Sequence, residues 1–274
     1  MKQVVGKSAG RWASGFAAVA VVATAVTGAA ALTGIAAAAA TVQPARSAMV
    51  QPGVHAPAKT ATPAKTAAPG YVPAKRTLKY GMHGADVRRL QDRLAQLTYY
   101  PGPRDGNFAI DTLEAVWAFQ EVQRIPTSGE VGNWMNWRLA HPRTPQPLIR
   151  NGAALRVEVD LRHEVLYVYH DKRIVLISHV SSGGGYYYCV SGSCGYAVTP
   201  TGNFHTLSRD RGWHVAPLGL LYNPVFFDGG FAIHGDTEVP LQPVSHGCVR
   251  IPMDVANIFP GLVPRNGIPV YIRR

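Results

Sequence analysis

Cysteine is scarce in this 274-residue chain: there are three in all, and none precedes Cys189. That absence excludes a lipid-modified N-terminal cysteine, and the lack of neighbouring arginines near the N-terminus speaks against the twin-arginine export route. No two cysteines stand at the two-residue spacing of a structural zinc site. Acids are also few, 16 against 27 Lys and Arg, which leaves a formal charge of +11. The positions from which acids are missing are more informative than the total.

Residues 1–40 carry Lys2, Lys7 and Arg11 and then an uncharged, Ala-rich apolar run. This is the pattern of an export signal cleaved near Thr41, with a retained single-span anchor as the second reading. Residues 41–76 contain Arg46, Lys59, Lys65, Lys75 and Arg76 without one acid, in a background of Pro, Ala and Thr. Such a stretch cannot bury a core and reads as an extended cationic tether that would dwell near anionic wall polymers. Between residues 77 and 141 seven basic residues meet seven acidic ones, and from 154 to 274 ten meet nine. Neither folded region is basic, which excludes a nucleic-acid surface.

Apolar periodicity predicts an α+β chain. Val87, Leu90, Leu94 and Leu97 share one helical face, and a second helix runs through Ala115, Phe119 and Val122 with Asp111 as its expected cap. Gly129, Gly132 and Asn133 precede a short third helix with Trp134 and Trp137. Residues 77–141 therefore form a small three-helix domain, and the Pro-rich segment 142–153 is a linker. From Leu155 the period becomes two, through Val157, Val159 and Leu161, then 165–169 and 174–178. Asp228-Gly229 joins apolar runs as a hairpin. Pro252 is expected at the first position of a helix reaching Phe259, and 268–272 closes a sheet. Residues 154–274 form one mainly-β domain.

The stretch 232–251, AIHGDTEVPLQPVSHGCVRI, concentrates the reactive groups. Cys248 is a candidate nucleophile, His234 and His246 are candidate bases, and Gly247 lets the backbone approach a carbonyl closely enough to stabilise an oxyanion. Residue types alone leave open a buried structural cysteine and a zinc site made by His234, His246 and Cys248.

His234-Gly235, ten residues from Gly235 to Val244, and then Ser245-His246-Gly247-Cys248-Val249-Arg250 together resemble the signature of the YkuD-type L,D-transpeptidases, with a spacer similar to actinobacterial members. LRVEVDLRHEVLYVYHDKRIV resembles the family's opening hairpins, and Ser182-Gly183 and Thr199-Pro200-Thr201-Gly202 resemble its turns near the site. Upstream, GADVRRLQDRL, DGNFAIDTLEAVWAFQ and SGEVGNWMNWRL resemble the common peptidoglycan-binding module, with Ala109 where that module usually has Gly.

The resemblance implies a thioester mechanism. Cys248 attacks the third residue of a tetrapeptide stem and expels D-Ala, His234 is the favoured base, and an acceptor amine completes a cross-link without metal, ATP or other cofactor. It assigns His246 and Gly247 to the catalytic loop, and Tyr222, Ser245, Arg250 and Gly235 to substrate binding or loop support. The implied partners are peptidoglycan stems and glycan, with a membrane only if the N-terminal segment is retained; the implied location, after export, is the cell wall or the extracellular face of the membrane. In an exported chain Cys189 and Cys194 should pair, pinning a lid with Tyr186–Tyr188 over the cleft. The competing functions are an L,D-carboxypeptidase, in which water replaces the amine, and a non-catalytic wall-binding protein. A papain-like endopeptidase is disfavoured because its cysteine precedes its histidine, whereas here His234 comes first.

Overall fold

The computed structural model describes residues 70–190 and 192–274, so the expected export signal and most of the tether lie outside the described residues. The first helices are α1 (Ala85–Gln96), α2 (Ile110–Gln123) and α3 (Asn133–Ala140). In α1 the predicted stripe buries Val87, Leu90 and Leu94 completely. Gln91 lies beside them without cost, because its amide bonds the Thr112 hydroxyl at 3.0 Å and the Asn107 carbonyl at 2.9 Å, while its oxygen accepts the Gly106 N–H.

Asp111 does not cap α2. Ala109 occupies the cap position with no side-chain bond, and Asp111 falls within the first turn, where its carboxyl approaches another acid. In α3, Met135 and Leu139 face inward, while Trp134 and Trp137 stack on each other at 5.2 Å with outward faces 56% and 47% exposed.

The second domain has eleven strands among the described residues. One sheet holds β1 (Arg156–Asp160), β2 (Val165–His170), β3 (Arg173–His179), β6 (Gly202–His205) and β11 (Pro269–Arg273), in the order β3-β2-β1-β11-β6. The other holds β7 (Trp213–Ala216), β8 (Gly219–Asp228), β9 (Phe231–Gly235) and β10 (Val249–Ile251), in the order β10-β9-β8-β7. A separate hairpin pairs β4 (Tyr187–Val190) with β5 (Ser193–Tyr196). Val157, Leu166 and Val168 of the first sheet meet Val225, Ile233, Val249 and Ile251 of the second. Each such fully buried aliphatic side chain contributes about 1.5–3 kcal/mol of transfer free energy.

A fourth helix, α4 (Met253–Leu262), closes this core with Phe259. Pro252 sits at its cap rather than inside its first turn, and the helix continues through Pro260. A proline there supplies no N–H to the Ala256 carbonyl. Asn223 fills the gap, donating from its amide to Ala256 O at 3.1 Å. Asn223 has φ +46° and lies where the β8–β9 register shifts, so a bulge in β8 and a break in α4 secure each other.

The helical domain packs on the first sheet. Strand β2 alternates, with Leu166 and Val168 turned to the sandwich core and Val165, Tyr167 and Tyr169 joined to the core of the helices. The Ile177 N–H donates to Thr98 O at 2.9 Å, and His179 Nδ1 meets Glu121 at 2.8 Å. The polar positions of β1 are buried too: Arg156 and Glu158 pair at 2.7 Å, and the second Glu158 oxygen accepts the Leu148 N–H. The period of two is kept along β1, but segment 142–153 bonds Glu158 and Arg156 and so covers its polar positions.

This contact gathers acids. Asp111 of α2 and Asp254 of α4 share a hydrogen bond, and burial followed by that neighbour raises Asp111 to about 6. Burial raises Glu114 to about 8 and Glu121 to about 7. Burial opposes charge on His179, yet Glu121, Glu114 and the Pro240 carbonyl together leave its pKa raised. All four hold their protons more tightly folded than unfolded; the three carboxyls' stabilisation is complete below the unfolded carboxylate range and is lost as pH rises through about 6 to 8, and that of His179 is lost above the ordinary histidine range. The thermal midpoint of the chain should therefore fall between pH 5 and pH 8. Glu114 accounts for a loss on the order of 2 kcal/mol, and the half-exposed Asp111 for less because solvent screens it. Glu114→Gln should flatten the profile; an unchanged slope in that variant would contradict this account.

Candidate active site

Two adjacent strands place the reactive pair. Strand β10 runs parallel to β9 with Arg250 opposite His234 and Val249 opposite Ile233, so Cys248 enters this ladder directly beside the histidine strand. The 249–251 strand went unread in the sequence, where Cys248 was placed in a loop leading to a helix. Three residues are too short for a period, and the strand exists because β9 and the 181 segment flank it: Ser181 and Arg250 exchange both backbone bonds at 3.0 Å.

His234 is buried, 4% exposed, and its Nδ1 lies 2.9 Å from Gly235 O. A carbonyl can only accept, so Nδ1 carries the proton and Nε2 keeps its lone pair. Burial lowers the His234 pKa, and burial likewise raises the Cys248 thiol. The resting pair is thus a neutral imidazole and a neutral thiol. The Cys248 sulfur is turned toward Gly230 O at 3.9 Å and opens on a cavity of about 670 Å³ that His234 also lines.

The loop before Cys248 is held from several sides. The Ser245 hydroxyl donates to Cys248 O at 2.5 Å and accepts the Gly247 N–H at 3.0 Å. The Thr199 hydroxyl donates to Gly247 O and accepts the Gly183 N–H, both at 2.9 Å, so the two turns at 182–183 and 199–202 converge on this loop. Behind them Glu164 accepts from the Ser182 N–H and hydroxyl, each at 2.7 Å. Gly247 has φ +133°, and a Cβ there would lie 2.4 Å from the Phe231 ring and 2.8 Å from Val198 O. Gly235 is equally confined, by Ala256 at 2.6 Å and by Tyr222.

The other sequence-selected residues divide into two groups. His246 lines the cavity, its ring held edge-on by Tyr188 at 4.8 Å and Tyr186 at 5.6 Å. Arg250 lines it too, paired with Asp236 at 3.2 Å and donating to Glu238 O. Tyr222 does not reach the cavity wall. The pleat of β8 turns Leu221 to the cavity, while the Tyr222 ring lies against Gly235 and Trp213 and its hydroxyl donates to Asn257 at 2.9 Å.

Cys189 and Cys194 form a disulfide directly across the β4–β5 hairpin. That hairpin brings Tyr188, Val190 and Cys194 to the cavity, whereas Tyr187 is 86% exposed. Sequence reasoning missed the facing wall, Ala216–Leu221 at the β7–β8 turn. Its signal was Pro217-Leu218-Gly219-Leu220-Leu221, an apolar run around a turn that burial alone does not explain. Glu164, which has φ +49°, was missed as well.

Comparison with known proteins adds to this geometry. A model described as an L,D-transpeptidase catalytic domain matches residues 154–272, and one described as a putative peptidoglycan binding domain matches residues 83–134. A solved structure of residues 123–326 of an L,D-transpeptidase from Xylanimonas cellulosilytica is 34% identical, with 74% of this chain and all of that one aligned at a TM-score of 0.69. An L,D-transpeptidase structure from Stackebrandtia nassauensis is 23% identical over 74% of this chain and 97% of that one, with a TM-score of 0.43. One from Mycobacterium smegmatis is 20% identical over 45% and 60%, with a TM-score of 0.37. No protein of curated function matches.

Two measurements test the site's physics. Gly247→Ala should cost about 1–3 kcal/mol from φ strain alone, with a further loss as Phe231 moves, and should displace Cys248; an unperturbed thermal midpoint would show the loop to be slack. Because burial raises the thiol, alkylation of Cys248 by iodoacetamide in the resting protein should titrate above the ordinary thiol value of about 8.5. A plateau reached below neutral pH would mean a preformed ion pair with His234 instead.

Proposed function

The chain belongs to the L,D-transpeptidase family and carries a peptidoglycan-binding domain, and from that premise we propose that Cys248 and His234 cross-link peptidoglycan stems by thioester transfer. The observation that carries this reading is the arrangement just described: a thiol immediately before β10 and an imidazole on the parallel neighbour β9, lining one cavity, with the imidazole's proton committed to Gly235 O.

In this reading the thiol proton passes to His234 Nε2 as the sulfur attacks the carbonyl carbon of the third stem residue. The Gly235 carbonyl then bonds the resulting imidazolium more strongly than the neutral ring, which offsets its burial. The carbonyl oxygen becomes an oxyanion beside the loop at Gly247, whose backbone is free of a Cβ at the point of closest approach. Collapse breaks the amide bond, and His234 returns the proton to the departing D-Ala nitrogen. An acceptor amine next attacks the thioester, loses its proton to His234, and the thiol is regenerated. The acyl bond's energy is kept in the thioester throughout, so the cycle balances without a further reactant.

Ser245 and Thr199 hold the loop rather than react, since both hydroxyls are occupied by backbone partners. Arg250 is anchored by Asp236 with part of its guanidinium on the cavity, where it can meet a stem carboxylate. His246, steered by two tyrosines, is a substrate-facing donor from a fixed wall. The disulfide hairpin and the 216–221 turn form opposing walls that limit water at the thioester. Export to the wall, through the segment at 1–40, completes the reading.

Intact-protein mass spectrometry after incubation with a tetrapeptide-stem fragment or a carbapenem tests it. Wild type should gain an adduct that Cys248→Ala lacks, and His234→Ala should slow acylation by about 10²–10⁴. Adding an acceptor amine then distinguishes transfer from hydrolysis. If the folded wild-type chain yields neither adduct nor turnover, the domain serves wall binding alone.

A further inference from the structure

A second cavity, of about 450 Å³, lies between the end of α1, the connector and the β2–β3 hairpin, and shares no lining residue with the Cys248 cavity. Arg150, Arg156, Lys172 and Arg173 line it, and no acid does. Arg150, Lys172 and Arg173 are exposed, and among the described residues none of the three forms an ion pair. Asp171, beside Lys172 in the turn, is not part of the wall.

Arg156 is different. It is 3% exposed, and its charge is already met by Glu158 at 2.7 Å and the Ala153 carbonyl at 2.8 Å. Its guanidinium covers the ring of Tyr169 at 3.5 Å, and the Tyr169 hydroxyl is buried with no hydrogen-bond partner. The cavity thus has a rigid floor in the stacked Arg156 and Tyr169, and a rim of three uncompensated positive charges. Like charges gathered around a concave surface repel one another and focus a positive potential into it.

We propose that this cavity binds a phosphate-class oxyanion, held by Arg150, Lys172 and Arg173, with the carbon skeleton of a phosphoester against Leu97, Pro145, Pro147 and Ile174. Two guanidinium forks and an ammonium suit a group with several oxygens. The site follows from the cavity alone. Naming a wall polymer's phosphodiester as the source rests on the peptidoglycan reading. A bound anion would join the connector to the hairpin of the first sheet and so strengthen the docking of the helical domain.

The test is calorimetric titration of the full chain with inorganic phosphate and, separately, with poly(glycerol phosphate), against sodium chloride at matched ionic strength. Carbapenem acylation of Cys248 is followed in parallel. Wild type should bind saturably, and Arg150→Gln/Lys172→Gln/Arg173→Gln should weaken binding by at least about tenfold, with acylation unchanged. Tighter binding of the polymer per phosphate identifies the wall polymer as the source, and equal affinity identifies free phosphate. Polymer binding unaltered by the triple substitution would place it elsewhere, for example on the basic segment 41–76, and would overturn the proposal, as would the absence of saturable binding in wild type. Loss of acylation with phosphate binding intact would count against the transpeptidase reading and leave this one standing.

Discussion

Strand β2 buries side chains on both of its faces, and the architecture depends on that fact. A strand reading Val-Leu-Tyr-Val-Tyr cannot leave either face in water without exposing large apolar area. Leu166 and Val168 are satisfied by the second sheet, and Val165, Tyr167 and Tyr169 by the helices. The helical domain is therefore a layer of the catalytic fold as well as a wall-binding module. Helix α3 buries Met135 and Leu139 in that core and leaves the stacked indoles of Trp134 and Trp137 on its exposed face.

With the first sheet fixed between two layers, the second sheet can carry chemistry at its edge. Strand β10 is only three residues long, yet it is tied on one side to β9 and on the other to the Ser181 segment. This places Cys248 at the junction of a strand and a glycine-dependent turn. Each turn that reaches the loop does so through a specific bond, from Thr199, Ser182 or Ser245, and Glu164 steadies the last layer. The position of Cys248 is thus over-determined by backbone, and its thiol pKa is left to burial.

Burial acts in the same sense around Cys248 and at the domain contact, disfavouring the charged form of each group. Around Cys248 it raises the thiol pKa and lowers that of the His234 imidazole, which favours the neutral form of both. At the domain contact it raises the carboxyl of Asp111 to about 6, with the hydrogen-bonded Asp254 adding to the shift. Because α4 carries Asp254 and also backs Gly235 through Ala256 and Met253, the two regions share one helix.

The sequence by itself determined the three helices, the opening hairpins and the candidate site residues, since periods of 3.6 and 2 and the His-Gly and Ser-His-Gly-Cys strings are local properties. It also determined that Cys189 and Cys194 are near enough to pair. The tertiary structure alone decided whatever depends on two distant segments meeting. The helix stripe at Val87–Leu94 could be read, but not that β2 would supply the opposite wall, because an apolar residue does not specify its partner. Asp111 looked like a cap because spacing cannot reveal Asp254 across the contact. Leu221 rather than Tyr222 lines the cavity, because which face of a strand is inward depends on its pairing and on the irregularity at Asn223. The strand at 249–251 is too short to have a period, and only its neighbours give it hydrogen bonds.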